Sequence, residues 1–241
     1  MATKSQKPST KTSVIGVKNI KRIKDIQSVI KKGVEKDSFF TGPAKYFPEE
    51  ALKSCKEDFL GNRHIEMIYA TLTAWGMNDR GAKMPEFNCF KCSILSCKQE
   101  LVELREKNIN EVSNEELNNL IGKLQELAFN KLITSVTDSH LVSATKTLAH
   151  ILPDLVPPMD RDNTSKYFGK SMQNPDQQKK MFKFVMNTLW QVYQTDEVRK
   201  KALAYNKKHP FVSLPKLFDN AIIQIRREED ENAKKGEKGT K

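Results

Sequence analysis

Residues 141–168 read LVSATKTLAHILPDLVPPMDRDNTSKYF, and their pattern guides the interpretation of the rest of the chain. Apolar residues recur every three or four positions up to Pro153, which predicts an amphipathic helix that ends before this proline. A Pro-Pro turn leads to Asp160 and Arg161, and a helix is expected to restart near Thr164. The stretch brings ionisable side chains close to apolar ones, which favours it as the position of a site.

Helical spacing of the same kind recurs on both sides of this stretch. The expected helices cover residues 14–34, 48–60, 63–75, 87–107, 112–132, 174–193, 197–207 and 213–227. Strand-like alternation is weak, and ten Gly and ten Pro in 241 residues are few for a β-rich fold. The sequence therefore predicts an all-α protein with one compact multi-helix domain at 14–227. A disordered basic arm at 1–13 and a disordered charged tail at 228–241 are expected to flank it.

Positive charge is concentrated near the start of the chain. The formal net charge is +11, and residues 1–36 carry ten Lys and Arg against two acidic residues, a balance of eight. Such a segment neutralises phosphates, and the Gly-containing loop 76–85 is able to approach a phosphate closely. We expect a basic face that binds DNA; RNA, an acidic protein or a purely solubilising role are the alternatives. The candidate nucleic-acid contacts are Lys18, Lys21, Arg22, Arg80, Lys83 and Arg161.

Several classes of protein are not expected from this sequence. No apolar run approaches the ~20 residues of a membrane-spanning helix, and the first residues lack the apolar segment of a signal peptide. We therefore expect a cytoplasmic protein, or a nuclear one in a host with a nucleus. The phosphate-binding loop, dinucleotide-binding, HExxH and GxSxG motifs are all missing, and we expect no cofactor. The oligomeric state stays open.

Four cysteines offer a possible metal site. Cys89, Cys92 and Cys97 follow a C-x2-C-x4-C pattern, with Cys55 as a fourth thiol. However, residues 87–107 have helical spacing, which turns Cys97 away from the other two, and no glycine lies between them. We therefore expect reduced, semi-buried structural cysteines and no metal.

The order of a helix with Lys146, a Pro-rich turn and Asp160 before a further helix resembles the core of the helix-hairpin-helix DNA glycosylase superfamily. The segments KTLAHILPDLVPPMD and IYATLTAWGM, the latter followed by GAKM, also resemble uncharacterised prokaryotic families. In the glycosylases a lysine attacks the sugar C1′ and an aspartate stabilises the cation. This sequence departs from their pattern, because residues 137–145 before Lys146 contain no glycine and no cysteine follows Cys97.

The resemblance implies base excision from DNA, with Lys146 and Asp160 as catalytic residues. Trp75, Tyr167 and Phe168 are expected to line the pocket for a flipped base. Other roles stay open for the two catalytic candidates: Lys146 as an exposed helix lysine, and Asp160 as a helix cap. The function alternatives are a non-enzymatic helical scaffold or interaction protein, and a small-molecule-binding enzyme.

Overall fold

In this computed structural model, the structure describes residues 11–34, 41–79 and 83–238, with side chains from residue 19 to residue 235 within those ranges. The described residues form eleven α-helices and no strand, which confirms the all-α prediction. The helices are α1 Lys11–Lys32, α2 Pro43–Glu57, α3 Asn62–Ala74, α4 Phe87–Ser96, α5 Lys98–Arg105, α6 Asn114–Glu126, α7 His140–Ile151, α8 Lys166–Phe168, α9 Pro175–Tyr193, α10 Asp196–Lys208 and α11 Leu214–Lys238. π-helical turns at Leu127–Lys131 and Arg161–Ser165 extend α6 and precede α8.

Helix α7 lies at the centre of the packing and contacts α2, α3 and α9. Nine of its twelve residues are buried, and only His140, Val142 and Ala149 are partly exposed. Its buried hydroxyl groups find partners nearby, since Thr145 Oγ1 donates to Leu141 O at 2.7 Å and accepts from Met159 N at 3.2 Å. The segment that follows α7 is therefore tied back to the helix, which fixes the position of the Pro-rich turn.

Three helix boundaries differ from the sequence prediction. The predicted helix 87–107 is broken at Cys97, because Ser93 and Ser96 donate to backbone carbonyls three residues earlier and disturb the helical ladder. α1 begins at Lys11, inside the predicted arm, whereas residues 1–10 lie outside the described part of the chain. α11 continues to Lys238 through the predicted disordered tail.

The charged residues in the second half of α11 stabilise the helix through ion pairs. Arg226 pairs with Glu229 at 2.7 Å and with Asp230 at 3.0 Å, at the spacings that place side chains on one helical face. Glu229 also accepts from Arg22 of α1 at 2.8 Å. A charge-rich composition was thus a poor guide here, because the order of the charges favours a helix.

The predicted start of α2 at Pro48 was also wrong, since α2 begins at Pro43 and carries Pro48 inside it. A proline has no N–H, so the carbonyl of Ala44, four residues earlier, loses its helical donor. The indole Nε1–H of Trp75 donates to that carbonyl at 3.0 Å. The proline in α2 therefore creates the acceptor that positions the tryptophan at the end of α3.

We expect this exchange of donors to appear as a coupling between the two residues. Trp75→Phe leaves the Ala44 carbonyl without its donor and should lower the free energy of unfolding by about 1–3 kcal/mol. In a Pro48→Ala background the new N–H restores a helical donor, so the same substitution should cost about 1 kcal/mol less. Urea denaturation of the four proteins of this cycle measures the difference.

The matched control is Trp190→Phe, because the Trp190 indole also donates to a backbone carbonyl, that of Val112, at 2.8 Å. Its cost should be equal with and without Pro48→Ala. An equal cost of Trp75→Phe in both backgrounds would contradict the proposed link.

Candidate functional site

The structure brings Lys146 and Asp160 to the wall of one small cavity, of about 50 Å³. Lys146 is 8% exposed, and its Nζ lies 5.1 Å from the centroid of the Trp75 ring, within the range of a cation–π contact. The cavity is lined by Trp75, Lys146, Pro158, Asp160, Asn163, Lys216, Asp219 and Ile223. The interpretation of Lys146 as an exposed surface lysine is therefore wrong.

Asp160 also caps the π-helical turn 161–165. Its Oδ1 accepts from the backbone N of Asn163 at 2.6 Å, and its Oδ2 accepts from Asn163 Nδ2 at 3.0 Å. Its own backbone N–H donates to Thr164 Oγ1 at 3.1 Å. The carboxylate is thus held at the cavity wall by the start of the turn, which is the capping role that the sequence left open.

A second lysine and a second aspartate, which were not among the residues predicted from the sequence, lie in the same wall. Lys216 Nζ lies 2.8 Å from Asp219 Oδ2, three residues along α11. Asp219 is 5% exposed, and burial raises the pKa of its carboxyl. The charge of Asp160 adds to this rise, whereas Lys216 and Lys146 oppose it. We call Lys146, Asp160, Lys216 and Asp219 the charge cluster; a Lys-x-x-Asp pair inside the apolar stripe of α11 was the available signal.

A larger cavity of about 340 Å³ adjoins the charge cluster. Trp75, Pro158 and Lys216 line both cavities and form the boundary between them. The other residues that line the larger cavity are Ala44, Lys45, Pro48, Glu49, Leu52, Ala149, His150, Val156, Lys208, His209, Pro210, Phe211, Val212 and Ser213. The volume lies at the lower end of the range for small-molecule sites, and the wall is mainly apolar.

The lining of the larger cavity carries more positive than negative charge. Its lining holds Lys45, Lys208 and Lys216 and one carboxylate, Glu49, which lies 4.0 Å from Lys45 Nζ. Lys216 is paired with Asp219 of the small cavity, so the charge of Lys208 is the one without a carboxylate beside it in the described residues. Lys56 adds a further ammonium near the mouth, where it donates to the carbonyl of Pro210 at 3.4 Å. The arrangement favours an anionic ligand with an apolar or aromatic part.

A neutral histidine contributes to the same wall. Burial lowers the pKa of His150 to about 4, with the positive charges of Lys216 and Lys146 among the further causes. His150 Nδ1 lies 2.8 Å from the carbonyl of Lys146, which requires the proton on Nδ1. The other ring nitrogen, Nε2, is then a hydrogen-bond acceptor on a residue that lines the larger cavity.

A second buried histidine, His64, is hydrogen-bonded to the backbone of His150. His64 Nδ1 accepts from the backbone N of Leu60 at 3.1 Å, so its Nε2–H donates to the carbonyl of His150 at 3.1 Å. Leu60 has a left-handed backbone (φ 58°), which His64 therefore helps to hold. Burial lowers the pKa of His64 to about 4.

Two of the predicted pocket residues lie elsewhere. Tyr167 is buried against α1, where its hydroxyl donates to the Arg22 carbonyl at 2.9 Å and the Arg22 guanidinium lies 4.3 Å from its ring centroid. Phe168 packs on Tyr167 and on Phe184, with centroid distances of 4.9 and 5.1 Å. Neither lines the two cavities, because α8 presents its aromatic residues to neighbouring helices. Of the three predicted residues, only Trp75 faces the cavities.

The predicted nucleic-acid contacts that the structure describes belong to α1, to the segment before α4 and to the turn Arg161–Ser165. Arg22 is paired with Glu229, and its pKa is raised through that contact although burial opposes the rise. Lys21, Lys83 and Arg161 are exposed. Arg80 and the side chain of Lys18 lie outside the described residues.

The cysteines do not form a group. Cys89 and Cys92 are exposed whereas Cys55 and Cys97 are buried, so the expectation of four semi-buried cysteines was wrong. Within the described ranges, no three His, Cys, Asp or Glu side chains come together as a metal site requires.

Comparisons with other proteins add no relative. No protein family, curated protein or solved structure gives a significant match to this chain. None of the helices in the described part of the chain is long and apolar enough to cross a membrane.

The two buried histidines predict a steep acid dependence of stability. Their pKa values fall from 6.5 to about 4 on folding, so the unfolded chain binds more protons between those values. Their contribution to stability is complete above pH 6.5 and is lost as the pH falls toward 4, by about 1.4 kcal/mol per pH unit for each histidine.

Urea denaturation from about pH 7.5 to about pH 4.5, across the range in which histidine titrates, tests this on wild type and on His64→Asn. The asparagine keeps an acceptor for the Leu60 N–H. The free energy of unfolding of the variant should fall less steeply as the pH falls, because unfolding then takes up about one proton fewer. Parallel pH curves for the two proteins would contradict the assignment.

Proposed function

We propose that this protein binds a nucleotide in the larger cavity, either free or as one unit of a nucleic-acid strand. The observation that carries the proposal is the mainly apolar cavity of about 340 Å³ whose lining includes Lys45 and Lys208 beside the single carboxylate of Glu49, with Lys216 already paired to Asp219. A nucleotide combines a flat, weakly polar base with a strongly negative phosphate. The two parts match the two kinds of surface in this cavity.

The walls suggest how such a ligand lies. The apolar side, with Leu52, Val156 and Pro158, accepts the base, and Lys45 and Lys208 bind the phosphate as point charges. The lone pair of His150 Nε2 accepts a hydrogen bond from an exocyclic amino group or a ring N–H of the base. This acceptor favours bases that present an N–H to it, which is a source of selectivity.

Nucleotide binding unites two expectations from the sequence. The partner predicted there was DNA, and the alternative was a small molecule. A free nucleotide and an unstacked nucleotide of a strand share the base and the phosphate, so one cavity serves both. The association with DNA is part of the proposal, and the net charge of +11 supports it.

We expect nucleoside 5′-monophosphates to bind and the matching nucleosides to bind more weakly. Lys208→Gln removes one of the phosphate-binding charges and should weaken the monophosphate about tenfold, equivalent to about 1.4 kcal/mol. The nucleoside should bind equally to wild type and to the variant. Isothermal titration calorimetry with the monophosphates of adenosine, guanosine, cytidine and uridine measures these affinities.

Lys180→Gln, an exposed lysine of α9 outside the cavity, is the control with the same charge change. It should leave the affinity unchanged. Equal weakening by both variants, or no binding of any monophosphate at millimolar concentration, would contradict the proposal.

A second candidate function is base excision of the glycosylase type at the charge cluster. It is favoured by Lys146 and Asp160 lining one cavity, with the lysine held against Trp75. In this reaction the neutral amine attacks C1′, the bond from C1′ to the base nitrogen breaks, and the base leaves with the electron pair and takes a proton from the amine. Asp160 stabilises the positive charge that develops on the sugar.

Excision chemistry predicts that Lys146 forms an imine with the aldehyde of an abasic site. Borohydride reduction should then fix a one-to-one adduct between the protein and an oligonucleotide that contains one abasic site. Mass spectrometry of the digested adduct should locate it on Lys146.

Lys146→Gln should abolish this adduct, whereas the control Lys131→Gln should keep it. Adducts spread over exposed lysines in all three proteins would exclude the excision chemistry. They would leave nucleotide binding in the larger cavity as the proposed function.

A further inference from the structure

Helix α10 carries four lysines, and the proposed function uses only one of them, Lys208. Lys200, Lys201, Lys207 and Lys208 are all exposed, and no acidic residue lies between 198 and 213. The two acids of α10 are in its first turn, where Asp196 pairs with Arg199 at 2.6 Å and Glu197 pairs with Lys31 at 3.3 Å. Within the described part of the chain, none of the four lysines has an ion-pair partner.

Helical geometry places these lysines on one face. Lys200 and Lys207 are seven residues apart, almost two full turns, and so are Lys201 and Lys208, so each pair points in nearly one direction with a separation of about 10.5 Å along the axis. The exposed Leu203 lies on the same side of the helix between the first pair. We call these four lysines and Leu203 the α10 face.

The α10 face ends at the larger cavity. Lys208 belongs to both, since it is exposed on α10 and lines the cavity. Phe211, three residues later, also lines the cavity and is 39% exposed. The lining of the cavity therefore includes an exposed aromatic ring and an exposed ammonium group, and Lys56 Nζ lies 6.0 Å from the centroid of that ring.

Stabilisation of the helix end does not account for all four lysines. Cations in the last turn of a helix interact favourably with its dipole, and Lys207 and Lys208 are in that position. Lys200 and Lys201 lie in the middle of α10, beyond the reach of this effect, which falls off within one turn. Their exposure without acidic partners instead points to an external anion.

We infer that the α10 face binds the backbone of a single-stranded nucleic acid and leads one of its nucleotides past Phe211 into the larger cavity. Lysines interleaved with exposed apolar and aromatic side chains fit a strand whose phosphates are neutralised while its bases contact rings. A duplex keeps its bases stacked, so a base would first have to leave the stack before it could enter the cavity. This inference rests on the proposed function, because it assigns the source of the nucleotide.

Fluorescence anisotropy with a labelled oligothymidylate, over a range of salt concentrations, tests the inference. The variant Lys200→Gln, Lys201→Gln, Lys207→Gln removes three charges of the α10 face and leaves the cavity residue Lys208 in place. Each phosphate contact of a single strand contributes about 0.7 to the slope of log K against log salt, so the slope should fall by about 2. A duplex of the same length should bind more weakly to wild type.

A second triple variant, Lys98→Gln, Lys123→Gln, Lys183→Gln, changes the net charge equally through three exposed lysines on other helices. It should change the slope by less than 1, since long-range charge alone is screened. Equal loss in both triple variants, or no loss in the first, would overturn the inference. So would α10-dependent binding to vesicles of phosphatidylserine and phosphatidylcholine without binding to the oligonucleotide, which would assign the α10 face to a membrane surface.

Calorimetry with mononucleotides separates this inference from the proposed function. If the mononucleotide binds and the first triple variant binds the strand normally, the α10 face is excluded and the cavity function stands. If the strand depends on the α10 face and no mononucleotide binds, the cavity function fails and the lysine surface remains a strand-binding surface without a nucleotide pocket.

Discussion

The hydrogen bond from the Trp75 indole to the Ala44 carbonyl is the constraint on which the candidate site depends. It exists because Pro48 cannot donate to that carbonyl, and it joins α2 to the end of α3 at the place where both cavities meet. Once the indole is fixed, its ring offers one surface to Lys146 and separates the charge cluster from the larger cavity. An ordinary residue at position 48 would satisfy the helix from within and remove the reason for the tryptophan to lie there.

The charge cluster contributes little to stability through its own charges. Removing the Asp219 carboxylate and the Lys146 ammonium group from water costs free energy that attraction within the cluster only partly returns, and apolar residues of similar size would pack there without that cost. Here Asp219 is nearly inaccessible, yet it keeps Lys216 at the boundary between two cavities. Buried groups with shifted pKa values that lie together beside a cavity, as Asp219 and His150 do, are typical of candidate functional sites.

Hydrophobic periodicity made the all-α fold class predictable. Most of the helix boundaries that differ from the prediction depend on single hydrogen bonds or ion pairs. The serines of α4, the interior proline of α2 and the ordered charges of α11 act through single hydrogen bonds or ion pairs, which hydrophobic periodicity does not register. The prediction that Lys146, Asp160 and Trp75 share a site came from a resemblance in the order of residues along the chain. The structure places all three in the lining of the small cavity. Lys45 lies far along the chain from Lys208, Lys216 and Asp219, and all four lie far from residues 141–160, so only the folded arrangement shows that they belong together.

The burial of α7 on nearly all sides has a mechanical consequence. This one helix places Lys146 in the wall of the small cavity and His150 in the wall of the larger one. The His150 ring donates a hydrogen bond to the Lys146 carbonyl. In a close-packed helix, the neighbouring side chains leave no room for one turn to shift without the others. The two cavities therefore share one wall element, and any displacement of α7 would change the shape of both cavities together.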